Sequence, residues 1–188
     1  MTGKTHLAAG ALSSLFVLVL GSEYNFIFLF VGILGGLFPD LDASEAKIHH
    51  IGISITRKIK IKPFLIPAKI ISTVFKHRGW LHSFLGLFFF SSVLASMLYY
   101  FEVKNFFKII FVFSVAYFSH LLTDSATKSG VPLFYPITKK HFYFLPKQFR
   151  LKTGSIFESF IEILFLILSV AVFFLLIISG YIKFDLMT

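Results

Sequence analysis

Five long apolar segments constrain this chain more than any other feature of its sequence. They cover roughly residues 4–21, 24–38, 84–101, 106–123 and 156–182. Within them the hydrophobic residues do not alternate with the period of two that a half-buried strand shows, nor with the 3.6 of an amphipathic helix. Segments of this kind are typical of helices that cross the hydrocarbon of a bilayer, which is about 30 Å thick. The sequence therefore predicts an all-α integral membrane protein with about five transmembrane helices.

The overall composition supports this class of protein. Hydrophobic residues make up 56% of the 188 residues, 27 residues are Phe, and the mean hydropathy is +0.84. A soluble domain of this size is far less apolar. A signal peptide is the alternative interpretation of the first segment, and the lack of a clear small-x-small cleavage site argues against it. Because no repeat or low-complexity linker interrupts the sequence, we expect a single domain over residues 1–188.

The basic residues predict the orientation of the chain. If the N-terminus lies inside the cell, 15 of the 18 Lys and Arg residues are cytoplasmic, and only Lys104, Lys108 and Lys183 lie outside. The positive-inside rule then places the N-terminus on the cytoplasmic side of the cell (inner) membrane and the C-terminus on the opposite side. We interpret the net charge of +9 as this topology signal, and we expect no nucleic-acid partner because the basic loops carry no recognition motif.

Each predicted helix carries a histidine or a carboxylate at or near its cytoplasmic end. An ionisable side chain next to hydrocarbon is costly unless it faces a partner, a cavity or a metal ion. The predicted topology brings nine such residues to one membrane face, while the other face receives only Glu23, Glu102 and Asp185. In chain order the nine residues are His6, Asp40, Asp42, His77, His82, His120, Asp124, Glu158 and Glu162.

The local spacings of these residues fit metal-ligand chemistry. His120 and Asp124 are four residues apart and share one helix face, and Glu158 has the same relation to Glu162. The "PDLD" stretch presents two carboxylates directly after Pro39, which ends a helix. Imidazoles and carboxylates without any cysteine suit zinc, with manganese or iron as alternatives. Because the groups outnumber the ligands of one tetrahedral ion, we expect two or three divalent ions.

Taken in order, five motifs resemble those of a known family. They are "TGKTHLAAG", "GGLFPDLD", "HRGWLHS", "HLLTDSATKSGVPLFYPITKK" and "KTGSIFE", and they extend from residue 3 to about residue 158. This combination resembles the YdjM-like membrane-bound metal-dependent hydrolases, a group distantly similar to zinc-dependent phospholipase C. The resemblance implies a metal shell made of His6, Asp40, Asp42, His77, His82, His120, Asp124 and Glu158. It does not identify a substrate.

A site with several metal ions favours hydrolysis of a phosphoester. Because the site is predicted at the membrane face, we expect the substrate to be a lipid or a lipid-linked molecule. In such a reaction Asp42 or Glu158 is expected to act as the base or to orient water, and Arg78 to stabilise charge on the phosphate. Lys139 and Lys140, in a basic and aromatic loop, are expected to bind the substrate together with Arg78.

Other interpretations of the same residues remain open. The cluster can also join helix ends as a structural metal site in a non-catalytic membrane protein. A transporter is less favoured, because the outer halves of the apolar segments carry no buried charge. The basic segment 57–79 is predicted to lie on the membrane surface. His49 and His50 are interpreted as loop residues.

Overall fold

The computed structural model describes residues 1–20, 26–42, 53–56, 59–61 and 79–179, and the regular secondary structure of these residues is helical apart from one short hairpin. Within these residues, five α-helices, α1 to α5, cover Gly3–Leu20, Phe26–Leu37, Phe84–Tyr100, Phe106–Ser125 and Ile156–Ile178. Short 3₁₀ helices cover Phe38–Asp42, Trp80–His82 and Lys147–Phe149. Each α-helix coincides within a few residues with one predicted apolar segment, so the presence of five helices is confirmed, and the crossing of the membrane by all five stays a prediction.

The hairpin pairs strand β1 (Ile53–Thr56) with strand β2 (Ile59–Ile61) in antiparallel orientation. Ile53 lies opposite Ile61 in the pairing. The alternation of Ile with Ser, Thr and Lys favours extended backbone because β-branched residues fit a pleated strand. The sequence analysis did not predict this local structure. Most of the surface-lying segment predicted at 57–79 is outside the described residues.

Helices α4 and α5 are long and apolar enough to cross a membrane, with 20 and 23 residues. At 1.5 Å per residue they extend about 30 Å and 35 Å, as long as the hydrocarbon is thick. Large apolar side chains lie exposed along α5, among them Ile156, Phe157 and Phe160. Exposed apolar surface of this extent requires a lipid or protein cover. Helices α1, α2 and α3 are shorter apolar helices.

Helices α1 and α4 each pack against three other helices. Helix α4 packs against α1, α2 and α3, and helix α1 packs against α2, α4 and α5. One cluster of buried apolar side chains lies toward the C-terminal end of α1 and the N-terminal half of α4, and consists of Leu15, Leu18, Phe28, Ile109, Val112 and Leu176. A second cluster joins α3 to the middle of α4 and to the chain beyond it, and consists of Leu87, Phe113, Tyr117, Leu121, Val131 and Leu133. The first cluster therefore fills the end of the bundle away from His6 and Asp124.

Helices α1 and α2 contact each other through glycine. A Cβ atom added to Gly36 would lie 2.6 Å from the carbonyl oxygen of His6 and 2.9 Å from the Cα atom of Gly10. A Cβ atom on Gly10 would in turn lie 2.6 Å from the carbonyl oxygen of Gly32. Gly32 and Gly36 have the Gly-x-x-x-Gly spacing that lets helix backbones touch in a membrane. The contact therefore leaves no room for any side chain at these positions.

Replacing Gly36 by Ala should destabilise the protein, because the new methyl group would collide with the backbone of α1. Overpacking of this kind costs about 1–3 kcal/mol, so the midpoint of thermal unfolding in detergent should fall. Gly3→Ala is the control, since a Cβ atom there meets nothing within 4 Å. A midpoint for Gly36→Ala as high as that of the control would contradict the close approach of α1 and α2.

Candidate metal centre

Five ionisable side chains meet at one end of the bundle. They are His6 near the start of α1, Asp40 after α2, His82 before α3, and His120 and Asp124 near the end of α4. Asp40 is 22% exposed, whereas each of the other four is at most 2% exposed. Side chains from four helices therefore converge on one buried cluster, which we call the His/Asp cluster.

The short 3₁₀ helix that carries His82 is fixed by contacts to both α3 and α4. Ser83 is the N-cap of α3 and donates its hydroxyl to the carbonyl oxygen of Trp80 at 2.6 Å. The hydroxyl of Tyr117, a buried residue of α4, donates to the carbonyl oxygen of Leu81 at 2.5 Å. Because both neighbours of His82 are held by these bonds, its imidazole is directed at α4.

Neighbouring pairs of potential ligand atoms lie 3.3 to 4.0 Å apart. His6 Nε2 is 3.3 Å from Asp124 Oδ1 and 4.0 Å from Asp40 Oδ2. His82 Nε2 is 3.6 Å from Asp40 Oδ1 and 3.7 Å from Asp124 Oδ2. His120 Nε2 is 3.8 Å from an oxygen of each carboxylate and 3.3 Å from His82 Nε2. Ligands placed tetrahedrally around zinc, at about 2.0–2.1 Å from the ion, lie about 3.3 Å apart.

These atoms form two groups that share His120. The first group is His6, Asp40 and His120, and the second is His82, His120 and Asp124. Within each group the ligand atoms lie within 4.8 Å of one another. The cluster therefore offers donors of the right type and separation for a divalent ion in either group.

Hydrogen bonds on the far side of two imidazole rings determine which nitrogen faces the cluster. His120 Nδ1 lies 2.8 Å from the carbonyl oxygen of Gly36, and a carbonyl can only accept, so Nδ1 carries the proton. Thr123 donates its hydroxyl hydrogen to the carbonyl oxygen of His120 at 2.9 Å. The Thr123 oxygen therefore accepts from His6 Nδ1, which lies 3.1 Å away. His6 and His120 thus direct their Nε2 atoms into the cluster, as metal-binding histidines do.

The electrostatics of the cluster also favour a cation. Two carboxylates are unfavourable in a buried site unless a positive charge lies among them. The terminal ammonium group of Met1 contacts Asp124 and supplies one such charge. Burial raises the pKa of the Asp40 carboxyl, but the imidazoles of His82, His120 and His6 outweigh it and hold this pKa well below its usual range. Asp40 is therefore ionised, the form in which a carboxylate binds a metal.

Glu158 lies at the same end of the bundle and has other partners. Its Oε1 atom accepts from the backbone amide of Thr2 at 2.5 Å and from the hydroxyl of Thr5 at 3.0 Å. Its Oε2 atom accepts from the backbone amide of Gly154 at 2.5 Å. These bonds tie the start of α1 to the start of α5. Glu158 belongs to neither group of candidate ligands, and its predicted roles as ligand and base stay predictions.

The remaining predicted site residues are not part of the His/Asp cluster as described. Lys139 and Lys140 are exposed in the segment between α4 and α5, and Glu162 is half-buried on α5. These positions do not test the predicted roles of Lys139, Lys140 and Glu162, which stay predictions. Outside the described residues lie the side chain of Asp42 and the whole of His77, Arg78, His49 and His50.

Sequence reasoning missed two groups that support the ligands. Thr123 follows His120 by three residues on α4, so its hydroxyl was recognisable as a neighbour on the same helix face. Its bond to His6 joins α4 to α1 and depends on how those helices pack. The carbonyl group of Gly36 left no signal in the sequence, because every residue carries one.

Comparisons with known proteins cover nearly the whole chain. The family described as "YdjM inner membrane protein" matches residues 1–187. The uncharacterized protein YvsG of Bacillus subtilis (strain 168) is 28% identical over 161 residues, which is 86% of this chain and 87% of that protein. No solved structure matches the chain significantly. Both matched regions are long enough to contain the four helices that supply the cluster.

Replacing Thr123 by Val should weaken metal binding, because His6 would lose the hydroxyl oxygen that fixes its protonation. Loss of such a supporting partner lowers metal affinity about 10- to 100-fold. Titration of chelator-treated protein with Zn²⁺ measures the dissociation constant, and Thr123→Ser, which keeps the hydroxyl, is the control. Equal affinities for the Val and Ser variants would contradict a role of Thr123 in orienting His6.

Proposed function

Since this chain belongs to the YdjM inner membrane protein family, we propose that it is a membrane-embedded, metal-dependent hydrolase. Its substrate in this proposal is a phosphoester of a lipid or of a lipid-linked molecule at the cytoplasmic face. The observation that carries the proposal is the His/Asp cluster, in which three imidazoles and two carboxylates from four helices face one another.

The donor set supports a divalent transition metal. Three imidazole nitrogens with two carboxylates suit zinc, and manganese and iron are the alternatives. Two groups of ligands that share His120 favour more than one ion. When bound, such ions polarise a phosphoryl oxygen and lower the pKa of a coordinated water.

The residues of the chain have separate tasks in this proposal. His6, His82 and His120 hold metal, together with Asp124 and Asp40.

The tasks of water activation and phosphate binding fall to other residues. Asp42, two residues beyond Asp40, accepts the proton of the attacking water. Glu158 serves as the alternative base, or holds the starts of α1 and α5 in place through its bonds to Thr2 and Gly154. Arg78, four residues before His82, pairs with the phosphate oxygens, since a guanidinium binds them in bidentate fashion.

The depth of the cluster supports a lipid substrate. The apolar segment 24–38 that precedes Asp40 has 15 residues and reaches about 22 Å as a helix, less than the roughly 30 Å of hydrocarbon. Asp40 follows this short segment and is the most exposed of the five cluster residues. A molecule that enters at Asp40 therefore approaches from the depth of lipid esters and phosphates. The exposed Lys139 and Lys140 add positive charge that would attract an anionic substrate.

A structural metal site is the second candidate, and the burial of the cluster favours it. His6, His82, His120 and Asp124 are at most 2% exposed, and structural metal sites are closed to solvent in this way. In that case the metal would hold four helix ends together without catalysis. If the protein is a hydrolase, chelation of the metal should abolish hydrolysis. If the metal site is structural, chelation should lower only the stability of the folded protein.

The proposed orientation has the cluster and the N-terminus on the cytoplasmic side. A cysteine introduced at Lys139 should then be protected in intact cells from a membrane-impermeant maleimide, and one at Lys104 should be labelled. Both lysines are exposed, and the chain has no cysteine of its own, so each variant carries a single reactive thiol. Labelling of the Lys139→Cys variant but not of the Lys104→Cys variant would show that the chain has the opposite orientation.

Purified protein, prepared without chelator, should contain a transition metal and hydrolyse at least one member of a panel of phospholipids and lipid pyrophosphates. Supplementation with Zn²⁺ or Mn²⁺ identifies the active metal, and elemental analysis measures the metal content. His120→Ala should lose both metal and hydrolysis, because His120 belongs to both groups of ligands. His141→Ala is the control, since His141 is exposed and lies outside these groups.

Two outcomes of this experiment would decide against the hydrolase. Metal in the wild-type protein without any hydrolysis, combined with a lower melting temperature after chelation, would support the structural site. Absence of metal from the wild-type protein, with no activity after supplementation, would contradict both candidates.

A further inference from the structure

Residues 126–155 form an ordered segment between α4 and α5, which we call the basic-aromatic lobe. The Lys128 amide donates to the carbonyl oxygen of Leu151 at 2.8 Å, and the Leu151 amide donates to that of Ala126 at 3.0 Å. Val131 and Phe142 exchange two backbone hydrogen bonds. These bonds fold the segment back on itself directly beyond the end of α4.

The lobe is also anchored to the helices. The backbone amide of Phe144 donates to the carbonyl oxygen of Ser125, the last residue of α4, at 3.0 Å. The amide of Phe84, the first residue of α3, donates to the carbonyl oxygen of Leu133 at 2.9 Å. Thr127 and Val131 are fully buried. The lobe therefore keeps a fixed position relative to α3 and α4.

The outward surface of the lobe is apolar and positively charged at the same time. Ile137 is 93% exposed, and four phenylalanines are 43% to 62% exposed, namely Phe134, Phe142, Phe144 and Phe149. Five lysines are also exposed, namely Lys128, Lys139, Lys140, Lys147 and Lys152. The sequence contains no acidic residue between Asp124 and Glu158, so no carboxylate of this segment neutralises the lysines.

The position of the lobe determines what can cover this surface. It connects the end of α4 to the start of α5, and because these two helices are long enough to cross a membrane, the lobe would lie where both leave the bilayer. Aromatic side chains prefer the boundary between hydrocarbon and head groups. Clustered lysines are attracted to anionic lipid head groups. The combination of charge, aromatic side chains and position matches an anionic membrane surface.

We propose that the basic-aromatic lobe docks onto the anionic lipid head groups of the leaflet next to the His/Asp cluster. Ile137 and the exposed phenylalanines insert into the head-group region, and the lysines contact lipid phosphates. Docking holds the end of α4, with His120 and Asp124, at a fixed depth. The proposal concerns a lipid contact and does not depend on hydrolase activity.

The test measures the depth of one residue in vesicles. A nitroxide spin label is attached to an Ile137→Cys variant of the full chain, which is otherwise free of cysteine. Collision with oxygen, which concentrates in lipid, is compared with collision with a water-soluble nickel complex. In vesicles containing phosphatidylglycerol the oxygen-to-nickel ratio should be several-fold higher than in pure phosphatidylcholine. Adding Lys139→Gln and Lys140→Gln should reduce the ratio toward the phosphatidylcholine value.

A label at Lys104→Cys, in the loop at the other end of the bundle, is the control. Its ratio should not respond to the Lys139 and Lys140 substitutions, which also shows that the variant chain remains folded and inserted. A water-like ratio at Ile137 in both kinds of vesicle would overturn the proposal. So would a label shielded from both reagents, since that would indicate a protein partner or a second copy of the chain as the cover.

Discussion

The close contact of α1, α2 and α4 is the constraint on which the rest of the structure depends. Gly36 contacts the α1 backbone at His6, and its own carbonyl oxygen accepts from His120 on α4. Gly35 makes a similar approach to α4, since an added Cβ atom would lie 2.7 Å from the carbonyl oxygen of Phe113. A larger side chain at either glycine would separate the helices that carry the ligands. These glycine contacts therefore set the spacing of the helices that carry the His/Asp cluster.

The polar cluster in this apolar bundle is held by hydrogen bonds on its outer side and faces a common centre on its inner side. Imidazole Nδ1 atoms donate to oxygens of neighbouring helices, and the Nε2 atoms and carboxylates face inward. Glu158 has a related role, since it accepts hydrogen bonds from Thr2 before α1, from Thr5 in α1 and from Gly154 before α5. Isolated charges would be prohibitively costly at this position. The same arrangement leaves donor atoms directed at a common centre, so the groups that hold the helix ends together are also those suited to bind a metal.

Much of the fold and part of the site were predictable from the sequence, for different reasons. The helices followed from apolar runs, because a segment of such composition has few other stable structures in a bilayer. The meeting of His6, Asp40, His82, His120 and Asp124 followed from counting which end of each helix they occupy. The β-hairpin was missed because strand β2 lies in the segment 57–79, which was assigned to the membrane surface from its basic and apolar residues and its prolines, and because no structure was predicted for strand β1. The partners of Glu158 were missed because a carboxylate at a helix start serves equally well as a metal ligand and as an acceptor for backbone amides.

The sequence by itself determined the helical membrane architecture, the ends at which ionisable groups collect, and the kinds of metal that such donors suit. These properties depend on the composition of each segment and on the spacing of residues along the sequence. The tertiary structure alone decided which groups touch, since distances between helices depend on side-chain volume and backbone contact in three dimensions. In the tertiary structure the five clustered residues lie together and Glu158 has other partners. Thr123 fixes which nitrogen of His6 faces the cluster. The lysine-rich segment between α4 and α5 folds into the basic-aromatic lobe.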